Sequence, residues 1–398
     1  MFRLTRSQLQ PVGIDIGHSG VRMLQLEVVG EHLQVRAAAA ESFGPDVLAD
    51  PALRLPAAVD IIRQLLRQGD FRGREAVVNL PREMVRIKNL RMPVIPPQEI
   101  EEAVALEARE KLGFDTEHVQ VRHMVAGEVR QNNDTLIEII AFAVAEADID
   151  NFLDQIARAG VVAASLDVEP CALFRCAERF VRRREDEHEV HVLVDIGWSG
   201  TLVVIGRGRD ITFVKYVDLG LSHMDQAVSR RLGISLDEAH VLRQRTTQDA
   251  PGAEEGRESV RQAISDATRG VMEQLSREIS LCLRYQSVTF RGHRPSRLRL
   301  MGGGAADKLL HNILSSSVSI PVETGRPLFN VDTTRMKTCD RRNPLSEWAM
   351  ALGLALRMTH GPFAPRDGRP RSAAPPAEEP PPEDAAAESA ATEEAAHA

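Results

Sequence analysis

"DIGHSG", Asp15 to Gly20, returns 180 residues later as "DIGWSG", Asp195 to Gly200, with five of the six positions unchanged. Each copy follows an apolar run ("VGI", "HVLV") and precedes another ("VRMLQLE", "TLVVIG"). Apolar runs flanking a short glycine turn read as paired strands. A strand that ends in Asp-Ile-Gly offers a carboxylate able to hold the water shell of a magnesium ion, and its glycine lets backbone N–H groups approach phosphate oxygens. Ser19 and Ser199 add hydroxyl donors. One such turn is an ordinary hairpin. Two of them, each heading a similar strand pair, predict two like halves that clamp one nucleotide's phosphates from both sides.

Outward from these turns, "LMGGGA", Leu300 to Ala305, reads as a strand–glycine–helix junction, either a tight turn or a flat stretch of backbone for a bound ring or ribose. The chain has no GxGxxG and no Walker A lysine motif. Residues 11–29 read as strand, turn, strand. Residues 55–68 read as a helix, with Val59, Ile62, Leu65 and Leu66 at helical spacing. "AVVNLP" is a short strand. Residues 84–160 form a compact strand–helix–hairpin–helix package. Its first helix is expected to start near Pro97 and Glu99 and to close at Gly113. Ile100, Val104, Ala108 and Leu112 form its stripe, the hairpin turns near Asn132 to Asp134, and Asp148 or Asp150 caps the second helix. Three strands follow from Glu189, then charged helices to about Arg245, a loop at "TTQDAPGAEEG", a long helix over 259–287, the strand "RLRLM", a helix opened by the glycines, and a last element over 345–357.

At 398 residues two or more domains are expected. No run approaches the roughly 20 apolar residues of a membrane-spanning helix. "MFRLTRSQLQ" lacks the apolar region of a signal peptide. The four cysteines form no CxxC pair, which fits a reducing compartment. The net charge of −8 is uneven: seven acids after Arg371 (Glu378, Glu379, Glu383, Asp384, Glu388, Glu393, Glu394), with no Lys or Arg there, leave −8 − (−7) = −1 for the rest. A near-neutral body gives no sign of nucleic-acid binding. The Ala/Pro/Glu-rich tail is expected to be disordered.

"GIDIG", "VDIG" and "LMGGGA", in this order and spacing, resemble the two phosphate motifs and the adenosine motif of the actin-like ATPase superfamily. Within it, "NLPREMVRIKNLRMPVIPPQEIEEAVALEAREKLGFD", "FAVAEADIDNFLDQIARAG" and "LDVEPCAL" are similar to PilM, the family of type IV pilus assembly proteins, and more distantly to FtsA. The resemblance implies an α/β fold: duplicated ribonuclease-H-like halves around a nucleotide cleft, with a small α+β subdomain inserted in the first half. The implied boundaries are 1–83 and 161–188 for the first half, 84–160 for the insert, 189–360 for the second half and 361–398 for the tail. It implies ATP and Mg²⁺ as ligands, with Asp15, Gly17, Ser19 and Arg22 on one side of the phosphates and Asp195, Gly197, Ser199 and Gly200 on the other. Asp15 and Asp195 would hold the metal, through water or directly. Gly302, Gly303 and Gly304 would pack on the adenosine.

His240 and Arg243 fall on the ribose-binding helix, where the family usually has Glu and Lys; Arg22 likewise replaces a Lys. Glu169 either orients an attacking water or caps its helix. The implied role is a cytoplasmic adapter, at most a slow ATPase, peripheral to the inner membrane. It would dock the cytoplasmic N-terminal peptide of a PilN-like membrane protein near Val78, Leu80 and the 119–145 hairpin. The resemblance implies no direct membrane insertion and leaves open self-association and service to a related type II secretion system. An FtsA-like filament would need a basic amphipathic C-terminal helix, which the acidic tail lacks. A small-molecule kinase would need a catalytic aspartate motif, and none is found.

Overall fold

Strand order carries the architecture. The computed structural model describes residues 7–112, 118–131, 134–248, 255–290, 294–336 and 339–360. Residues 132–133 of the turn expected near Asn132 to Asp134, the Gly113 cap, most of the loop before the long helix and the tail lie outside them. The first half contains β1 (Ser7–Ile16), β2 (Gly20–Val29), β3 (His32–Ser42), α1 (Pro45–Ala49), α2 (Arg54–Gln68) and β4 (Glu75–Asn79). Then come β5 (Arg86–Pro93), α3 (Ile100–Leu112), β6 (Val119–Gln131) and β7 (Asp134–Ala145). The chain returns through α4 (Glu146–Arg158), β8 (Val162–Asp167) and α5 (Glu169–Glu178). The second half is β9 (Val190–Ile196), β10 (Thr201–Arg207), β11 (Asp210–Val217), α6 (Leu221–Leu232), α7 (Leu236–Gln248), α8 (Glu255–Thr289), β12 (Arg297–Met301), α9 (Lys308–Ser317) and β13 (Val322–Thr324). Last are β14 (Val331–Asp332) and α10 (Ala349–Leu356).

One sheet runs β14-β3-β2-β1-β4-β8 and another β11-β10-β9-β12-β13. Numbered within its own half, each reads 3-2-1-4-5, with strands 1 to 3 antiparallel and 1, 4 and 5 parallel, and the first sheet adds β14 in parallel beside its strand 3. The halves are duplicates in topology, as the repeated hexapeptide predicts.

Period-two alternation then assigns each face. On β1, Val12, Ile14 and Ile16 join the core under α2; on β9, Val190, Val192, Val194 and Ile196 join the core under α8. The intervening residues, among them Leu193 and the two aspartates, point to the opposite faces. Those faces share one core: Leu24, Leu26 and Val77 of the first half meet Leu193, Leu202 and Val204 of the second, with α5 and α10 between. All eight residues of α10, "AMALGLAL", are buried, as expected of a helix that is apolar all round.

A third sheet, β5-β7-β6, carries the insert, with a small core of its own around Leu90, Met92, Val104 and Ile139. Its expected second helix packs elsewhere. Phe152 and Ile156 of α4 lie fully buried in the first-half core beside Ile62 and Leu65. Topology gives the reason: α4 connects strands 4 and 5 of the first half, as α9 does in the second.

Local expectations differ in several places. Pro97 and Glu99 precede α3, in a turn where Pro96 O accepts from Glu99 N–H at 2.9 Å. The N-cap of α4 is Ala145, with no side-chain cap, so Asp148 and Asp150 lie within the helix. The glycines of 302–304 form turns, and α9 starts at Lys308, where the Asp307 side chain accepts from Leu309 and Leu310 N–H at 3.0 and 3.1 Å. Thr246 to Gln248 continue α7 rather than opening a loop. Val78 and Leu80 are 0% and 6% exposed, part of the first-half core, and offer no surface to a peptide.

Candidate functional site

The strand ends place both aspartates by register. Asp15 sits opposite Arg22 in the β1–β2 ladder; Asp195 sits opposite Leu202 on one side and Met301 on the other. Each hexapeptide closes as the same turn: Gly17 N–H donates to Gly20 O at 3.0 Å, and Gly197 N–H to Gly200 O at 2.9 Å. Asn79, at the end of β4, braces the first turn by accepting from Ile16 N–H at 2.8 Å.

Between the turns lies a cavity of about 100 Å³, lined by both of them, by Arg82, Glu169, Tyr216, Gly302 and Gly303, and by Glu347 and Met350. Drug-sized ligands occupy roughly 300–1,000 Å³, so this space suits the phosphate end of a nucleotide and not a whole one. Of the fourteen sequence-expected positions, eleven line it: Asp15, Gly17, Ser19, Arg22, Glu169, Asp195, Gly197, Ser199, Gly200, Gly302 and Gly303. Gly302 has φ +79°, and a Cβ there would lie 2.7 Å from Ile196 O and 2.8 Å from Asp195 Oδ1, so backbone alone fits beside the second carboxylate.

Three expected positions do not line the cavity. Gly304 is spent on the fold: its N–H donates to Ile196 O at 3.1 Å. Arg243 turns inward to Asp225, a buried acid on α6, and His240 donates from Nδ1 to the same carboxylate at 2.9 Å. His240 still touches the site, edge-on to the Trp198 ring at 5.0 Å. Asp225 was invisible in the sequence, where nothing marks an acid in a charged helix as buried.

The single position at which the hexapeptides differ is explained by its neighbours. His18 is 2.9 Å from Glu83, which Arg54 also engages, whereas Trp198 meets His240. The His18 contact, with Arg54, holds the Glu83 carboxyl down to about 2 despite partial burial.

Three acids share the cavity. Burial pushes Asp15 up to about 7, against the pull of Arg22 and with a push from Glu169. Burial, then Glu169 and Asp15, push Asp195 up to about 7. Burial also raises Glu169, opposed by a hydrogen bond of 2.6 Å that Tyr216 donates to its Oε2. Three carboxylates share the cavity with the guanidinium groups of Arg22 and Arg82, and carboxylates pressed together favour a bound cation. Among the described residues, no group of three or more His, Cys, Asp or Glu side chains could hold a metal ion directly. Sequence reading missed Arg82, Tyr216 and the α10 residues, whose positions depend on contacts more than 100 residues apart.

Twin 3-2-1-4-5 halves meeting over one acidic, glycine-walled cavity define the actin-like ATPase fold. A family profile described as the type IV pilus assembly protein PilM matches residues 13–359, and the chain belongs to that family. Among solved structures it is similar to a PilM–PilN type IV pilus biogenesis complex, at 24% identity, covering 87% of this chain and 98% of that one with TM-score 0.70. The ethanolamine utilization protein EutJ from Carboxydothermus hydrogenoformans matches at 15% identity over 88% and 89% of the two chains, with TM-score 0.48. MreB5 of Spiroplasma citri bound to ADP matches at 9% identity over 88% and 95%, with TM-score 0.43.

Proposed function

We propose that the chain binds ATP with magnesium between its halves and serves type IV pilus assembly, or a related type II secretion system, as an adapter. The carrying observation is that both hexapeptides and both aspartates, 180 residues apart in sequence, line one cavity. Asp15 and Asp195 would hold the water shell of the metal, and the turns at 17–20 and 197–200 would take the phosphates. Glu169 is the candidate to orient a water in any slow hydrolysis. Calorimetry of ATP with Mg²⁺ tests this: wild type binds, and Asp15→Ala and Asp195→Ala each lose binding by 10-fold or more while remaining folded. Binding retained by both variants would overturn it.

The partner would be the cytoplasmic N-terminal peptide of a PilN-like inner-membrane protein, as the PilM–PilN relative suggests. The insert offers two sheet edges, β5 and β6, for an extended peptide to extend the ladder. Membrane association would then come through that partner. No described helix is long and apolar enough to cross a membrane.

A further inference from the structure

Arg82 follows β4 in the first half, yet its partners belong to the second. Its guanidinium ion-pairs with Asp218, just past β11, and lies over the Tyr216 ring with Cζ 4.4 Å from the centroid. Its Nη1 lies 2.4 Å from where a Cβ on Gly200 would stand, so the guanidinium comes close against the second phosphate turn. It also lines the cavity, together with the three carboxylates of Asp15, Glu169 and Asp195.

The Asp218 side chain is 88% exposed and that of Arg82 22%. An ion pair with so exposed a partner contributes little and exchanges readily. A phosphate offers the same guanidinium two oxygens in place of a carboxylate's, in a better shielded place.

We propose that Arg82 is a binding residue for the terminal phosphate, exchanging Asp218 for it when a nucleoside triphosphate enters. This rests on the nucleotide reading above and deepens it. Arg22 is paired with Asp15 across the ladder and sits at the first turn; Arg82 supplies the cation at the second turn. The first half would thus sense the third phosphate through a residue that otherwise latches it to the second half.

Calorimetry with MgATP and MgADP on the full chain tests this, using Arg82→Gln and Asp218→Asn. The exposed Asp218 keeps the second variant independent of folding damage. Arg82→Gln is expected to weaken MgATP 10-fold or more and MgADP 2-fold or less. Asp218→Asn, which frees the guanidinium, is expected to tighten MgATP 2- to 5-fold. A latch with no phosphate contact gives the opposite sign: Asp218→Asn weakens both nucleotides alike. That result, or unchanged ATP-over-ADP preference in Arg82→Gln, would overturn the assignment alone. Failure of the wild type to bind either nucleotide would overturn the nucleotide reading beneath it.

Discussion

Asp15 and Asp195 make the site unstable on its own. Each titrates near 7 in the folded chain, against 3.8 for an ordinary aspartate. Below pH 3.8 both are largely neutral in either state, and these two groups withdraw no stability from the fold. As pH rises toward 7 the unfolded chain releases these protons first, so the contribution of the two groups falls and is fully lost once the folded groups ionise. Asp195→Asn removes that penalty. We expect it to raise the melting temperature at pH 8 by a few degrees, about 1–2 kcal/mol, with a smaller gain at pH 5. The same variant should not bind MgATP. Thermal melts at the two pH values check the first half of this prediction, and an equal gain at both would refute it. Wild-type binding of MgATP should release protons, measurable by calorimetry in buffers of different ionisation enthalpy.

At the scale of elements, the pair α5 and α10 fixes the base of the cleft. A Cβ on Gly353 of α10 would fall 1.7 Å from Ala172 O of α5, closer than any real contact. Gly353→Ala must push the helices apart, at a cost of about 3 kcal/mol or more, since overpacking against backbone cannot be relieved by a rotamer change. Chemical denaturation would measure it; a loss under 1 kcal/mol would mean that the crossing adjusts freely.

Elements with a strong local signal were legible in sequence. The helix α2, the long α8, the hairpin of β6 and β7, and the strand pairs around each hexapeptide all carry their apolar period on their face. What stayed hidden depends on partners distant in sequence. The strand β3 ("HLQVRAAAAES") has a run of alanines that reads as helix as well as strand, and the β2 ladder decides it. The two-residue β14 exists only because β3 receives it. The same holds in the site: glycines and acids at strand ends could be found by repetition, whereas Arg82 and Tyr216 are brought in by the meeting of the halves.

At the scale of the molecule, each half has one crossover enlarged. In the first it is the connection from strand 4 to strand 5, which holds the insert; in the second it is strand 3 to strand 4, which holds α6, α7 and α8. The two enlargements touch. Glu138 of β7, 1% exposed, accepts from Arg91 at 2.6 Å and from Tyr285 of α8 at 2.5 Å, and Phe290 packs against the shared core and lies 3.1 Å from where a Cβ on Gly127 of β6 would stand. Tyr285→Phe leaves a buried carboxylate oxygen unmatched and should cost about 1–3 kcal/mol. Hydrogen exchange should quicken in β5, β7 and the end of α8, with MgATP affinity within 2-fold of wild type. Faster exchange confined to α8 would show that the insert does not depend on this strap.

The helix α10 has a consequence for how the protein is made. It covers Gly13 of β1 from Ala351 and Ala355, so the first sheet is finished by residues some 340 positions later. At roughly 5–20 residues per second, a ribosome needs about 17–70 s to deliver them. Throughout that interval the N-terminal strands stand with one apolar face uncovered. The nascent chain therefore depends on whatever shields that face in the cell, and translation slowed before Leu345 would prolong the exposure of strands made early in the same chain.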